Sequence, residues 1–312
     1  MSTELFDCRV SFADTLIALA SKDKRIVTVC NDSIGSSNLK EFAKLFPDQM
    51  INVGIAEQNM VGVAAGLANA GLKPFVCAAS PFLTGRATEQ IKADIAYSRS
   101  AVVLCGMSPG VSYGELGPTH HSIEDMAWMR AVANLTIAIP SDPNETRNVV
   151  QWAAQSDDPI FMRVPRHKIP AIPGTDRTFD PTKAHVLREG TDISIVAIGG
   201  MVHVSLNAAL LLEKSGVSAQ VIHVTTLKPL DELTLLSALT KTKAVITIEE
   251  GTTFGGLGSA VAELLSQQAP MKMKIMGIPA VFAPTGSADF IFEHFGLTPA
   301  GVVKEATTLL KR

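Results

Sequence analysis

Short β-branched runs alternate with helical stretches along this sequence, and that rhythm constrains the fold more than any single motif does. Residues 26–30, 73–78, 101–106, 135–139 and 160–164 have the length and the Val/Ile content of buried strands. Between them, residues 12–20, 55–70, 86–98, 123–131 and 143–154 carry small and apolar residues at helical spacing. Such alternation predicts a mostly parallel sheet covered by helices on both faces. Pro165, Pro170, Pro173, Gly174 and Pro181 then crowd a segment with few apolar residues, which reads as a linker. The rhythm resumes with strands at 193–198, 218–224, 244–249 and 272–277 and helices near 202–215, 230–239 and 258–267. The expected fold class is therefore α/β, with two α/β domains at 1–168 and 189–312 joined by a linker at 169–188. A chain of 312 residues is long enough to give each its own core.

Charge and cysteine usage exclude several functions. The formal net charge is -3 and the Lys and Arg residues are scattered, so there is no footprint for nucleic acid. Cys8, Cys30, Cys77 and Cys105 stand far apart without metal-ligand or CxxC spacing, which suits a reducing, cytoplasmic setting and gives no metal site. The start, Met1-Ser-Thr-Glu-Leu-Phe-Asp, lacks the pattern of a signal peptide, and no apolar run reaches bilayer length. A small-molecule enzyme without membrane or nucleic-acid partners is expected.

Two segments carry chemistry. Residues 51–71 read as a short strand, a turn and a helix closed by Gly71, with Glu57 in the first helical turn. A first-turn glutamate ordinarily lies in solvent and favours the positive helix end. This helix, however, is almost free of other charges and rich in Gly and Ala, so it is expected to be buried on most sides and closely approached by another backbone. A carboxylate in such a place is costly unless protonated or partnered, which marks it as a site candidate. The second segment, residues 110–125, is a glycine-punctuated loop after the strand at 101–106, at the end of the strand where ligands bind in parallel sheets. His120 and His121 precede Ser122, which reads as a helix N-cap. Adjacent histidines point apart, so one of them is expected to face the reaction.

These residues, with others in the same order, resemble the C-terminal portion of transketolase as encoded in split transketolases. The resemblance runs through Cys8-Arg-Val-Ser, Gly54-Ile-Ala-Glu-Gln-Asn-Met, Ser80-Pro-Phe-Leu, Gly114-Glu-Leu-Gly-Pro-Thr-His, Met129-Arg-Ala-Val-Ala-Asn, Pro140-Ser-Asp-Pro-Asn-Glu, Phe161-Met-Arg and Glu249-Glu-Gly-Thr-Thr-Phe-Gly-Gly. It implies a thiamine-diphosphate pyrimidine-binding fold followed by a transketolase C-terminal-like domain. It also implies transfer of a two-carbon ketol unit between sugar phosphates.

By that resemblance Glu57, protonated through a raised pKa, bonds the aminopyrimidine N1′ and activates the cofactor. Phe82 supplies an aromatic wall and Arg86 a further cofactor contact. His120 meets the donor carbonyl as the second catalytic residue, and Arg9, Ser37 and Arg163 hold the substrate phosphate. Two positions depart from the family pattern: Leu116 stands where an Asp is usual and Ser108 where many members have His. A leucine, expected here to be buried, cannot replace a hydrogen-bonding carboxylate, so an altered donor is expected.

The sequence contains no Gly-Asp-Gly for Mg2+ and the diphosphate, and Gly251-Thr-Thr-Phe-Gly-Gly-Leu-Gly258 reads as a tight strand-to-helix connection. Mg2+ and the diphosphate are thus expected on a partner, an N-terminal transketolase subunit, with a homodimer of this chain inside a heterotetramer. Alternatives are the β subunit of a 2-oxo acid dehydrogenase E1 component and a non-catalytic assembly or regulatory subunit.

Overall fold

The structure is a computed structural model that describes residues 4–311. The reading of Met1, Ser2 and Thr3 as lacking a signal sequence lies outside those residues, as does the final Arg312. Among the described residues no helix is long and apolar enough to cross a membrane.

Two mostly parallel sheets with helices on both faces form the architecture expected of the rhythm. In the first, strands Met50–Asn52, Ile26–Cys30, Lys73–Ala79, Val103–Met107, Ile160–Val164 and Thr136–Ala138 lie side by side in that order, all parallel. Val29, Val76, Leu104 and Phe161 sit at successive paired positions of the four central strands and are fully buried. Covered on both faces, these strands need no polar alternation, and so appear as continuous apolar runs.

The second sheet has the order Lys272–Ile278, Ala244–Thr252, Ile193–Ala197, Ala219–His223, His185–Arg188, with only the last strand antiparallel. His185–Arg188 lies within the segment expected to be linker. Ile169–Pro170, at the other end of that segment, pairs antiparallel with Leu5–Phe6. The proline-rich stretch is thus tied down at both ends.

The boundary between the halves is not a clean cut. Thr226–Lys228, well inside the second half, crosses back and adds an antiparallel strand beside Thr136–Ala138 at the edge of the first sheet. Buried polar groups seal the same junction. Glu145, on helix Pro143–Gln155, accepts hydrogen bonds from the Ser141 amide at 2.7 Å, the Ser141 hydroxyl at 2.8 Å and the Thr225 hydroxyl at 2.6 Å. The Nε2 of His223 lies 3.1 Å from Glu145 Oε2, the oxygen that also accepts from Ser141. Burial pushes the Glu145 carboxyl up, but His223 and these donors more than reverse it, holding it at about 2.

Several local expectations are corrected. The helix expected at 86–98 is found as Thr88–Gln90 continued by Ile91–Tyr97, but a separate helix, Ser80–Arg86, precedes it with Pro81 in its first turn, so Arg86 ends a helix instead of opening one. The helix expected at 123–131 begins at Asp125, with Glu124 at its N-cap. Ser122 does not cap it, because its backbone is paired with Gly110 in an isolated antiparallel bridge. Helix Glu57–Asn69 buries Glu57, Met60, Val61, Ala64 and Ala65 on one face and exposes Gln58, Asn59, Gly66 and Asn69 on the other. Burial on most sides, and close approach by another backbone, are not found for it within this chain: a Cβ at Gly66 would meet nothing within 4 Å.

Candidate active site

The carboxyl ends of the central strands open into a cleft of about 350 Å³ whose lining includes Asn31, Ser36, Glu57, Phe82, Tyr113 and His120. Three connections build it. Strand Ile26–Cys30 ends in Asn31, Asp32 and Ser33; Gly54, with φ of +73°, turns the chain from strand Met50–Asn52 into helix Glu57–Asn69; and strand Lys73–Ala79 runs directly into helix Ser80–Arg86.

Glu57 is the buried acid of this cleft, at 3% exposure. Its Oε1 accepts from Asn31 Nδ2 at 2.7 Å and from Arg86 Nη1 at 2.9 Å. Among the described residues no other residue donates to Oε2, which leaves that oxygen for a ligand. Burial pushes the carboxyl up, but its own backbone amide, Asn31 and Arg86 outweigh that effect and set it below the ordinary carboxylate range. The raised pKa expected of the apolar helix is therefore corrected for this chain by itself: two donors converge on one oxygen, and one of them is a cation.

Phe82 is half-buried and presents its ring to the same cleft. The Arg86 guanidinium stacks over that ring at 4.1 Å, and the His120 ring meets it edge-on at 5.2 Å. The Tyr113 ring also meets the His120 ring edge-on, at 6.1 Å. His120 Nδ1 is 3.0 Å from the Thr119 hydroxyl, and among the described residues none bonds its Nε2, which leaves that nitrogen for a ligand. His121 points the other way and is buried, with Nε2 3.3 Å from the Gly114 carbonyl; desolvation lowers its pKa.

The three residues expected to hold phosphate are not brought to the cleft. Arg163 is 4% exposed; its Nε lies 3.1 Å from both Asp125 oxygens, Nη1 donates to the Glu250 carbonyl at 2.8 Å and Nη2 to the Ser122 carbonyl at 3.1 Å. It is an internal tie between the two halves. Ser37 is fully buried, its hydroxyl 3.3 Å from that of Ser33. Arg9 is ion-paired with Asp7 at 2.6 Å and donates to the Ser36 carbonyl at 3.0 Å, so it braces the wall from behind. Ser108 is likewise fully buried. Leu116, expected to be buried, is 55% exposed at the cleft mouth.

Asn31, Asp32, Ser33, Ser36 and Tyr113 were not singled out by sequence. A signal existed for the first three, which follow directly on a buried parallel strand where ligands bind. Asn52 also escaped: its Oδ1 accepts from the Asp32 amide at 2.9 Å and the Gly54 amide at 3.0 Å, joining two of the cleft-forming turns.

The fold and this cleft define an α/β chain with a ligand site at the carboxyl ends of a parallel sheet. Residues 5–171 match the family described as transketolase, pyrimidine binding domain, and residues 182–302 match transketolase, C-terminal domain. The chain is 41% identical over 313 residues to an apulose-4-phosphate transketolase subunit of Phocaeicola vulgatus, covering all of both chains. It is 37% identical over 304 residues to the 6-deoxy-6-sulfo-D-fructose transketolase subunit SqwH of Clostridium sp., covering 97% of this chain and 94% of that one. A solved split-gene transketolase, described as an inactive β4 tetramer, superposes with a TM-score of 0.89 at 37% identity, over 97% of this chain and 98% of that one. The chain belongs to the transketolase family.

Proposed function

We propose that this chain is the subunit of a transketolase that holds the aminopyrimidine of thiamine diphosphate and transfers a two-carbon ketol unit between sugar phosphates. The observation that carries this reading is the placement of Glu57: it is buried, with Oε2 open, in one cleft with Phe82 and His120. That donor set fits an aminopyrimidine, with an acid for N1′, an aromatic face for the ring, and Arg86 beside both. When bound, thiamine diphosphate supplies the nucleophilic carbon and the electron sink that ketol transfer needs.

The chain's own residues have three tasks. Glu57 shares a proton with N1′, for which the acid form is required, so the Arg86 contact must loosen or be compensated on binding. Phe82 covers the ring and keeps water from the acid. His120 offers Nε2 to the donor carbonyl oxygen and moves a proton there. Arg9 acts on the phosphate side through Ser36, which lines the cleft. Ser37 supports that wall from inside beside Ser33, and Arg163 ties the second half to Asp125, roles that replace direct phosphate contact.

The sequence has no Gly-Asp-Gly, and two of the relatives are named as transketolase subunits. Both facts support a partner, an N-terminal subunit carrying Mg2+ and the diphosphate, with two copies of each chain in a closed heterotetramer. Four free, buried cysteines fit a cytoplasmic setting. The relatives' named sugars differ from each other, and Leu116 at the mouth fits a donor with an altered hydroxyl pattern.

The test is to co-express the chain with its diphosphate-binding partner and assay ketol transfer and 2-oxo acid decarboxylation. Glu57→Ala is expected to lower transfer by at least about a hundredfold, and a loss under about tenfold refutes the assignment. Transfer by the isolated chain supplied with Mg2+ and cofactor refutes the shared site.

A further inference from the structure

The loop that carries Tyr113, Leu116 and His120 is held from the second domain. Its base is closed by the Gly110–Ser122 bridge, with the Gly110 amide 3.1 Å from the Ser122 carbonyl and the Ser122 amide 2.7 Å from the Gly110 carbonyl. Immediately inside that bridge, the Val111 amide donates to Oε1 of Glu250 at 2.8 Å. Glu250 lies near the end of strand Ala244–Thr252, 139 residues away in sequence, and is 6% exposed. Its fit is tight: Gly110 has a φ of +60°, and a Cβ there would fall 2.2 Å from Glu250 Oε1. The same strand end donates from the Thr252 amide to the Ile123 carbonyl at 2.8 Å, and the Gly286 amide reaches the Gly114 carbonyl at 3.1 Å.

The geometry points to Glu250 as a positioning residue for the ketol-transfer site, acting through Val111 on the loop that presents His120 and Tyr113 to the cleft. The proposal rests on the functional reading of the cleft given above and adds a role for the second domain in catalysis. An unpaired buried amide is costly, so loss of the acceptor frees the loop base to seek another arrangement. His120 lies on that loop nine positions beyond Val111, and displacement of a reacting group by about 1 Å can lower a rate about a hundredfold. Thr252 and Gly286 would still tether the loop, so it would lose orientation without unfolding.

The experiment uses the assembled complex of this chain with its diphosphate-binding partner and compares wild type, Glu250→Ala and Glu250→Gln. Glutamine keeps a carbonyl acceptor for Val111 and removes the charge. Glu250→Ala is expected to lower kcat by at least about tenfold with a smaller change in donor KM, and Glu250→Gln to return it to within about threefold of wild type. Amide hydrogen exchange over residues 111–121 should speed up in Glu250→Ala and not in Glu250→Gln. If Glu250→Ala does not assemble, Glu250→Leu, which fills the space without an acceptor, carries the same comparison.

Wild-type kcat or unchanged exchange in the alanine or leucine variant overturns the proposal. So does a loss of activity that merely follows the fraction folded. If the wild-type complex shows no ketol transfer, the functional reading fails, while the exchange comparison still decides whether Glu250 holds the loop.

Discussion

Arg86 Nη1 sits 2.9 Å from Glu57 Oε1, so the acid that the cofactor would use is occupied by a cation in this chain. The Glu57 backbone amide, Asn31 and Arg86 together hold a carboxyl at 3% exposure below the ordinary carboxylate range in spite of its burial. Replacing Arg86 with Met removes the cation and one donor. The Glu57 titration is expected to move to higher pH, followed through the side-chain carboxyl carbon by NMR. A titration unchanged from wild type would show that Asn31 and the backbone amide set the ionisation without Arg86.

Arg163 and Asp125 form a buried ion pair at 4% and 0% exposure. Breaking such a pair from one side leaves an unpartnered charge inside the protein, which costs about 3–5 kcal/mol. Arg163→Met is expected to lose about that much stability in denaturant titration, and adding Asp125→Asn should recover part of it. A variant with wild-type stability and a selectively raised KM for sugar phosphate would instead restore the phosphate contact expected from sequence.

Leu116 is solvent-facing at the cleft mouth, so Leu116→Asp should change stability by no more than about 0.5 kcal/mol. In the assembled enzyme it is expected to raise kcat/KM about tenfold or more for donors whose hydroxyl can bond a carboxylate, relative to those lacking it. Parallel kinetics with donors of both kinds check the ratio; no change in it would remove Leu116 from donor selection.

Glu145 should shape the acid limb of stability. Its carboxyl is depressed from an ordinary 4.5 to about 2 in the folded protein. A depressed acid stabilises the fold above its unfolded pKa and loses that contribution as pH falls through the folded one. The stability difference between wild type and Glu145→Gln should therefore be full above pH 4.5 and shrink toward pH 2. Thermal midpoints across that range measure it, and a difference constant with pH would contradict the assignment.

The strand rhythm was legible because both faces of each sheet are covered, which leaves uninterrupted apolar runs such as Ile26–Cys30 and Ile160–Val164. Helix Ser80–Arg86 was hidden because Pro81 looks like a breaker in a string and is favourable only in a first helical turn. Thr226–Lys228 is too short to show a period, and its pairing depends on an edge built about ninety residues earlier. Glu57 stood out as a lone charge among glycines and alanines. The polar turn at 31–36 has no signal beyond its place after a buried strand, and the enclosure of Arg163 depends on Asp125, 38 positions upstream, which local pattern cannot reveal.

The strand Thr226–Lys228 has a consequence for dissecting the molecule. Cutting after residue 171 would remove it and leave Thr136–Ala138 as an open margin with unpaired amides and carbonyls, a template for intermolecular pairing. The matched pyrimidine-binding segment is therefore expected to expose an unpaired sheet edge when excised. A fragment meant to stand alone must carry a supplied β-strand in place of residues 226–228, or aggregate through that margin.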